Sequence, residues 1–71
     1  MRVNEVLSRI NDSTPIMLII GDFILHTGTK RCIYSNIIYQ RNRQKYGGAL
    51  VTEILLDDKF PSLIKIKGEL V

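Results

Sequence analysis

Two β-rich runs, Pro15-Ile16-Met17-Leu18-Ile19-Ile20 and Phe23-Ile24-Leu25-His26, are separated by nothing but Gly21-Asp22. So short a connection between extended segments points to an antiparallel hairpin, because tight turns need a positive φ that glycine adopts without penalty. Pro15 stands at the first position of the first strand, where a missing N–H does least damage. Gly28 is expected to break the second strand.

The segments around the hairpin read in turn. Val3, Val6, Leu7 and Ile10 fall at i, i+3, i+4 and i+7, the apolar stripe of an amphipathic helix. The spacing predicts a helix over 3–11, ended by Asn11-Asp12-Ser13-Thr14-Pro15, whose side chains compete for the backbone. Ala49 to Leu56 reads as a strand with Leu50, Thr52, Ile54 and Leu56 on one side. A loop, Asp57 to Pro61, and a strand from Ser62 to Lys67 follow, with Lys65 and Lys67 on a wet face. Residues 29–48 carry both a helical pattern (Ile33, Ile37, Ile38, Tyr34, Arg41) and an alternating one (Ile33, Ser35, Ile37, Tyr39). The polar tail from Gln40 to Lys45 favours a helix near 34–45, closed by Gly47-Gly48 as a C-cap. The expected fold is α+β in the order α-β-β-(α)-β-β. It is a single domain, 1–71, with a small four-stranded, largely antiparallel sheet and helix cover on one face.

A chain of 71 residues buries only about 60% of the surface its unfolded form exposes. Such cores rarely supply more than roughly 3–5 kcal/mol, so natural examples often add a staple. Cys32 is the single cysteine and His26 the single histidine, so neither an internal disulfide nor a Cys/His zinc set is available. An efficient Ile- and Leu-rich core, or a partner chain, must serve instead. A homodimer is therefore expected, and a four-stranded sheet offers two edges at which strands of two copies would pair. The lone cysteine points to a reducing compartment. With no apolar stretch behind Met1-Arg2-Val3-Asn4-Glu5, and an apolar run at Ile16–Ile20 too short to span a bilayer, the expected location is the cytoplasm.

Net charge is +3, and its distribution is uneven. No acidic residue lies between Asp22 and Glu53, while Lys30, Arg31, Arg41, Arg43 and Lys45 do, so the middle carries +5 and the ends together −2. Catalytic sets are thin. His26 and Cys32 would need a matched dyad geometry, with Asp22 orienting the ring, in a pocket that so small a fold seldom encloses. The commoner roles are the end of a strand for His26 and a small buried hydrophobe for Cys32. Asp57-Asp58 lacks the further carboxylates of a cation site. No enzyme, cofactor or metal is expected. The segment Tyr39-Gln40-Arg41-Asn42-Arg43-Gln44-Lys45-Tyr46-Gly47-Gly48 stands out, because Arg and Lys contact phosphates and Tyr stacks on unpaired bases. The same side chains dominate protein–protein contact surfaces. Tyr39, Arg41, Arg43, Lys45 and Tyr46 are the expected partner-binding residues, with Lys30 and Arg31 as secondary candidates. Their partner is a host or defence protein, or a nucleoprotein. The alternative is direct binding of nucleic acid or of a phosphorylated or cyclic nucleotide.

The layout resembles a class of very short phage- and prophage-encoded α+β accessory proteins of low-GC Gram-positive bacteria. The similarity rests on the opening helix Val3-Asn4-Glu5-Val6-Leu7-Ser8-Arg9-Ile10 and the Asn11-Asp12-Ser13-Thr14-Pro15-Ile16 entry into the hairpin. Gly28-Thr29 and the closing pair Leu50-Val51-Thr52-Glu53-Ile54 and Leu63-Ile64-Lys65-Ile66 complete it. The stretch 30–48 is longer and more basic than that class suggests. Members mostly have no assigned function, so the resemblance transfers no site residue. It implies a context in which small non-structural phage proteins bind host or defence machinery, for example as inhibitors of CRISPR–Cas.

Overall fold

The computed structural model of the chain describes residues 1–56 and 63–71. Its elements are α1 (Val3–Leu7), β1 (Pro15–Ile20), β2 (Phe23–Thr29), a 3₁₀ helix (Lys30–Ser35), α2 (Ile37–Arg41), α3 (Arg43–Gly47), β3 (Leu50–Leu56) and β4 (Ile64–Glu69). The expected loop over 57–61, its Asp57-Asp58 pair, and Ser62 lie outside the described residues. The α+β architecture is as expected. The four-stranded sheet has the order β2-β1-β4-β3.

The sheet is mixed. The β1–β2 and β3–β4 pairs are antiparallel, but β1 and β4 run parallel at the centre. The physical reason lies in the long helical crossover between β2 and β3, since parallel neighbours need such a connection. Register follows hydrophobicity: Ile64, Ile66 and Gly68 of β4 stand beside Ile16, Leu18 and Ile20 of β1, while Lys65 and Lys67 stand beside Met17 and Ile19. A slip of one residue would carry the lysines into the core.

The hairpin turns at Gly21, whose φ is +61°. Gly28 does not end β2 as expected; the strand runs through it to Thr29. A bulge opposite Leu18 and Ile19 leaves Leu25 without a cross-strand partner. Consecutive side chains then point the same way, and Leu25 and His26 are both buried. In β3 the register shifts between Val51 and Glu53. Thr52 therefore does not share a face with Ile54 and Leu56 by simple alternation, contrary to expectation. Val51, not Leu50, packs against the core.

α1 is shorter than the expected 3–11. Ser8 Oγ donates to the Glu5 carbonyl at 2.7 Å, and the Arg9 and Ile10 N–H groups bond to Val6 and Leu7 in i→i−3 fashion. The tightened turn ends the helix before Asn11. At its other end the Glu5 carboxylate accepts from the Arg2 backbone N–H at 3.0 Å. Residues 30–47 are helical rather than extended, but not as one helix over 34–45. Asn36 and Asn42, both with non-helical backbone angles, divide them into three pieces.

All this helix lies on one face. Val3, Val6, Leu7, Ile33 and Tyr39 pack onto Ile16, Leu18, Ile20, Leu25 and Ile66 to form the core. Burying each large aliphatic side chain is worth about 1.5–3 kcal/mol. No helix among the described residues is long and apolar enough to cross a membrane.

Candidate binding surface

The basic segment is positioned by its two breaks. Asn36 starts α2 by accepting, through its side-chain oxygen, the N–H groups of Ile38 and Tyr39 at 3.0 and 3.2 Å. That cap satisfies two of the four free donors of a helix start. Asn42, with φ −136° and ψ 50°, then turns the chain between α2 and α3. Gly48 closes α3 with a negative φ, so its glycine is needed for space and not for handedness. A Cβ there would lie 2.7 Å from the Gln44 carbonyl oxygen.

The two breaks project Arg41, Arg43 and Lys45 outward, and all three are exposed. Together with Asn42 and Gln44 they line a shallow cleft of about 350 Å³. Arg43 and Gln44 also border a second cleft with Asn4 and Tyr39. None of the three cations forms an ion pair with a described residue.

The tyrosines divide differently from expectation. Tyr39 is buried, with 3% of its surface exposed, and belongs to the core. This removes its ring from the contact surface: Tyr39 is the one inward residue of α2, whose Ile37 and Ile38 are exposed with Gln40 and Arg41. Burial pushes the Tyr39 hydroxyl pKa above its ordinary 10.0, reinforced by Tyr34 and opposed by the charge of Arg43. Tyr46 is half-buried against the core, with Lys45 Nζ 5.7 Å from its ring centre.

Tyr34, in the 3₁₀ helix, is the open ring, at 41% exposure. The fold brings Arg43 of α3 to 5.9 Å from its centroid and Lys30 to 5.5 Å, and sets it edge-on to Tyr39 at 6.4 Å. Arg43 lies nine positions after Tyr34, and the breaks at Asn36 and Asn42 fold the two together. Tyr34 was recognisable in sequence as a member of the basic region, but nothing in its spacing singled it out.

Lys30 is the secondary candidate the structure assigns elsewhere. It is buried, and its Nζ bonds to Asp12 Oδ1 at 3.1 Å. The Asp12 hydrogen bond raises its pKa above 10.5, against the opposing effect of burial. Its charge is spent inside the fold, tying the 3₁₀ helix to the turn before β1. Arg31 is exposed.

The His26 and Cys32 pair is engaged locally. His26 Nε2 lies 3.1 Å from the Thr29 carbonyl and Nδ1 lies 3.3 Å from Asn36 Nδ2. Cys32 is exposed and not the buried hydrophobe expected, its sulfur accepting from the Thr29 hydroxyl at 3.2 Å, and His26 lies within β2 instead of ending it. Asp22 stands exposed in the hairpin turn, at the far end of β2 from the ring it was to orient. Compared with known proteins, the chain matches no family model, no curated protein and no solved structure.

Proposed function

We propose that this chain is a non-enzymatic binding protein that sets its α2–α3 corner on an acidic surface of a host or defence macromolecule. The observation that carries the reading is the group Arg41, Arg43 and Lys45, three exposed cations on five consecutive residues with no described counter-ion. Cations without a described counter-ion can meet carboxylates without first breaking an ion pair, which favours affinity. Arg43 beside the open Tyr34 ring supplies the Arg–Tyr combination that dominates protein interfaces.

A protein surface is favoured over nucleic acid by the fate of the tyrosines. Base stacking needs free ring faces. Tyr39 is in the core, Tyr46 is half-covered and Tyr34 is attended by two cations. The resemblance to phage accessory proteins suggests the class of partner, host or defence machinery, with CRISPR–Cas inhibition as one form.

The test is a titration against labelled single-stranded RNA, duplex DNA and cyclic dinucleotides, at low and physiological salt. The expected result is weak binding at low salt only. Capture of a partner from host lysate should then be abolished by Arg41→Glu with Arg43→Glu. Tight binding of one of those nucleic ligands at physiological salt would transfer the surface to the alternative reading.

A further inference from the structure

Tyr39 keeps one group out of the core. Its ring is buried, with 3% of the residue's surface exposed, yet its hydroxyl hydrogen-bonds to no described residue. Buried tyrosines ordinarily find a partner for that group. No buried side-chain oxygen or nitrogen among the described residues is sealed off without one, so the hydroxyl is the part of Tyr39 that meets solvent. It does so in the cleft of about 400 Å³ that Tyr39 lines with Asn4, Arg43 and Gln44.

The opening is made by Gly47, the last residue of α3. A Cβ there would stand 3.2 Å from the Tyr39 hydroxyl oxygen and 3.5 Å from Asn4 Cβ. Its φ is not in the left-handed region, so space and not handedness sets glycine at this point. α1 and α3 meet across it, and the missing side chain leaves the hydroxyl uncovered between them.

The other groups at the cleft are also uncommitted. The Asn4 and Gln44 side chains are exposed and hydrogen-bond to no described residue. Arg43 forms no described ion pair, and its charge reaches Tyr39: burial raises the hydroxyl pKa, while Arg43 opposes the rise. The hydroxyl therefore stays protonated at neutral pH and can donate. All four side chains offer O–H or N–H donors, the one formal charge is positive, and no carboxylate lines the cleft. A carboxylate, with one negative charge and about four lone-pair sites, matches a single cation and several donors. A phosphate group brings more negative charge than this one guanidinium balances.

We propose that one side-chain carboxylate of the partner's acidic surface enters this cleft and accepts from the Tyr39 hydroxyl and the Arg43 guanidinium, between the amides of Asn4 and Gln44. The inference rests on the α2–α3 corner being the contact surface, and it adds the point that fixes register. Exposed cations such as Arg41 and Lys45 attract carboxylates over a broad area. A donor carried on a ring packed in the core has one position, so it selects where a carboxylate must stand.

The probe is a fluorescent octaglutamate peptide, followed by anisotropy at low salt, with octaglutamine as its neutral counterpart. The native chain should bind octaglutamate and ignore octaglutamine. Tyr39→Phe keeps every charge and removes a group that bonds to nothing described in the protein, so its circular dichroism should be native. Its affinity for octaglutamate should fall about tenfold or more, the usual weight of a hydrogen bond to a charged group. Gly47→Ala, which sets a methyl group against the hydroxyl, should lose affinity as well. Independently of any variant's folding, the ζ-carbon NMR resonance of Tyr39 in the native chain should move with octaglutamate and stay still with octaglutamine. Arg41→Glu with Lys45→Glu, which leaves the residues of the cleft in place, tests the corner itself. If that variant loses the peptide while Tyr39→Phe holds it at native affinity, the corner stands as the contact surface and the cleft falls. If the native chain does not bind octaglutamate, both fall. If an eight-nucleotide oligothymidylate binds more tightly, with the same dependence on Tyr39, the cleft takes phosphate and the carboxylate is overturned.

Discussion

Asn36 and His26 hold each other in place: the Asn36 side-chain amide donates to His26 Nδ1 at 3.3 Å and to the Leu25 carbonyl at 3.0 Å. With Nδ1 accepting, the ring proton belongs on Nε2, where it reaches the Thr29 carbonyl at 3.1 Å. The other end of the Asn36 side chain caps α2. One residue therefore joins the β2 bulge, a buried imidazole and the start of the helix that carries Arg41. The lone histidine of the chain serves the fold.

Asn36→Ala should remove the cap and the donors together. A cap is worth about 1 kcal/mol, and a buried acceptor left without its donor costs about 1–3 kcal/mol more. The expected loss of about 2–4 kcal/mol lowers Tm by about 8 °C or more, at roughly 4–8 °C per kcal/mol in a chain this small. Asn36→Asp keeps the capping oxygen but not the donors and should fall between. Equal Tm values for Asn36→Ala and the native chain, by circular dichroism, would refute this account.

Gly48 and Gly21 separate two reasons for glycine. Gly21 has φ +61° and open space where a Cβ would stand, so Gly21→Ala should cost only the left-handed penalty, about 1–2 kcal/mol. Gly48 has an ordinary φ but no room, with the Gln44 carbonyl 2.7 Å from an added Cβ. Gly48→Ala must displace the end of α3, and with it the Arg2 guanidinium, which donates to the Gly48 carbonyl at 2.8 Å. Denaturant titration should rank Gly48→Ala as the more damaging of the two.

What could be read from the chain was set by local rules. The hairpin at Gly21 and the start of α1 at Val3 depend on residues a few positions apart, and both were legible. The two β-bulges were not, since nothing about Leu25 or Thr52 in sequence marks an extra residue; cross-strand pairing decides it. The same holds for the parallel β1–β4 pair, which depends on where the crossover returns the chain. In the basic segment, charge was legible and depth was not. Tyr39 and Lys30 look like their neighbours in sequence, yet one fills the core and the other is bound to Asp12, eighteen residues away.

Stability should decline in alkali. Lys30 holds its proton more tightly folded than unfolded, through Asp12, and Tyr39 does so through burial. For both groups the unfolded chain releases the proton first, so their contribution is complete below the unfolded pKa values. It is lost as pH rises through the folded ones. Tm should therefore drop above pH of about 10. Tyr39→Phe, which has no proton to lose, should make that decline shallower, as should Asp12→Asn. An unchanged alkaline limb in both variants would contradict the assignment.

Binding and stability should come apart at the basic corner. Arg41, Arg43 and Lys45 are exposed and without a described counter-ion, so Arg41→Glu should change stability by no more than about 0.5 kcal/mol and Arg43→Glu by no more than about 1.5 kcal/mol. Removing Arg43 also forfeits its contact with Tyr34, a cation–π pair worth about 0.5–1 kcal/mol at an exposed site. Binding should behave oppositely. Each reversed charge places a carboxylate against an acidic surface, so affinity for the partner should fall far more than stability does. Tyr34→Ala should weaken binding in the same assay, and so should Tyr39→Phe, which alters only the cleft hydroxyl. Should nucleic acid prove to be the ligand, three cations limit the log–log salt slope to about −2 on single strands and −3 on duplex DNA. A steeper slope would require cations beyond this corner, and a charge-reversed variant with undiminished affinity would place the contact surface elsewhere on the fold.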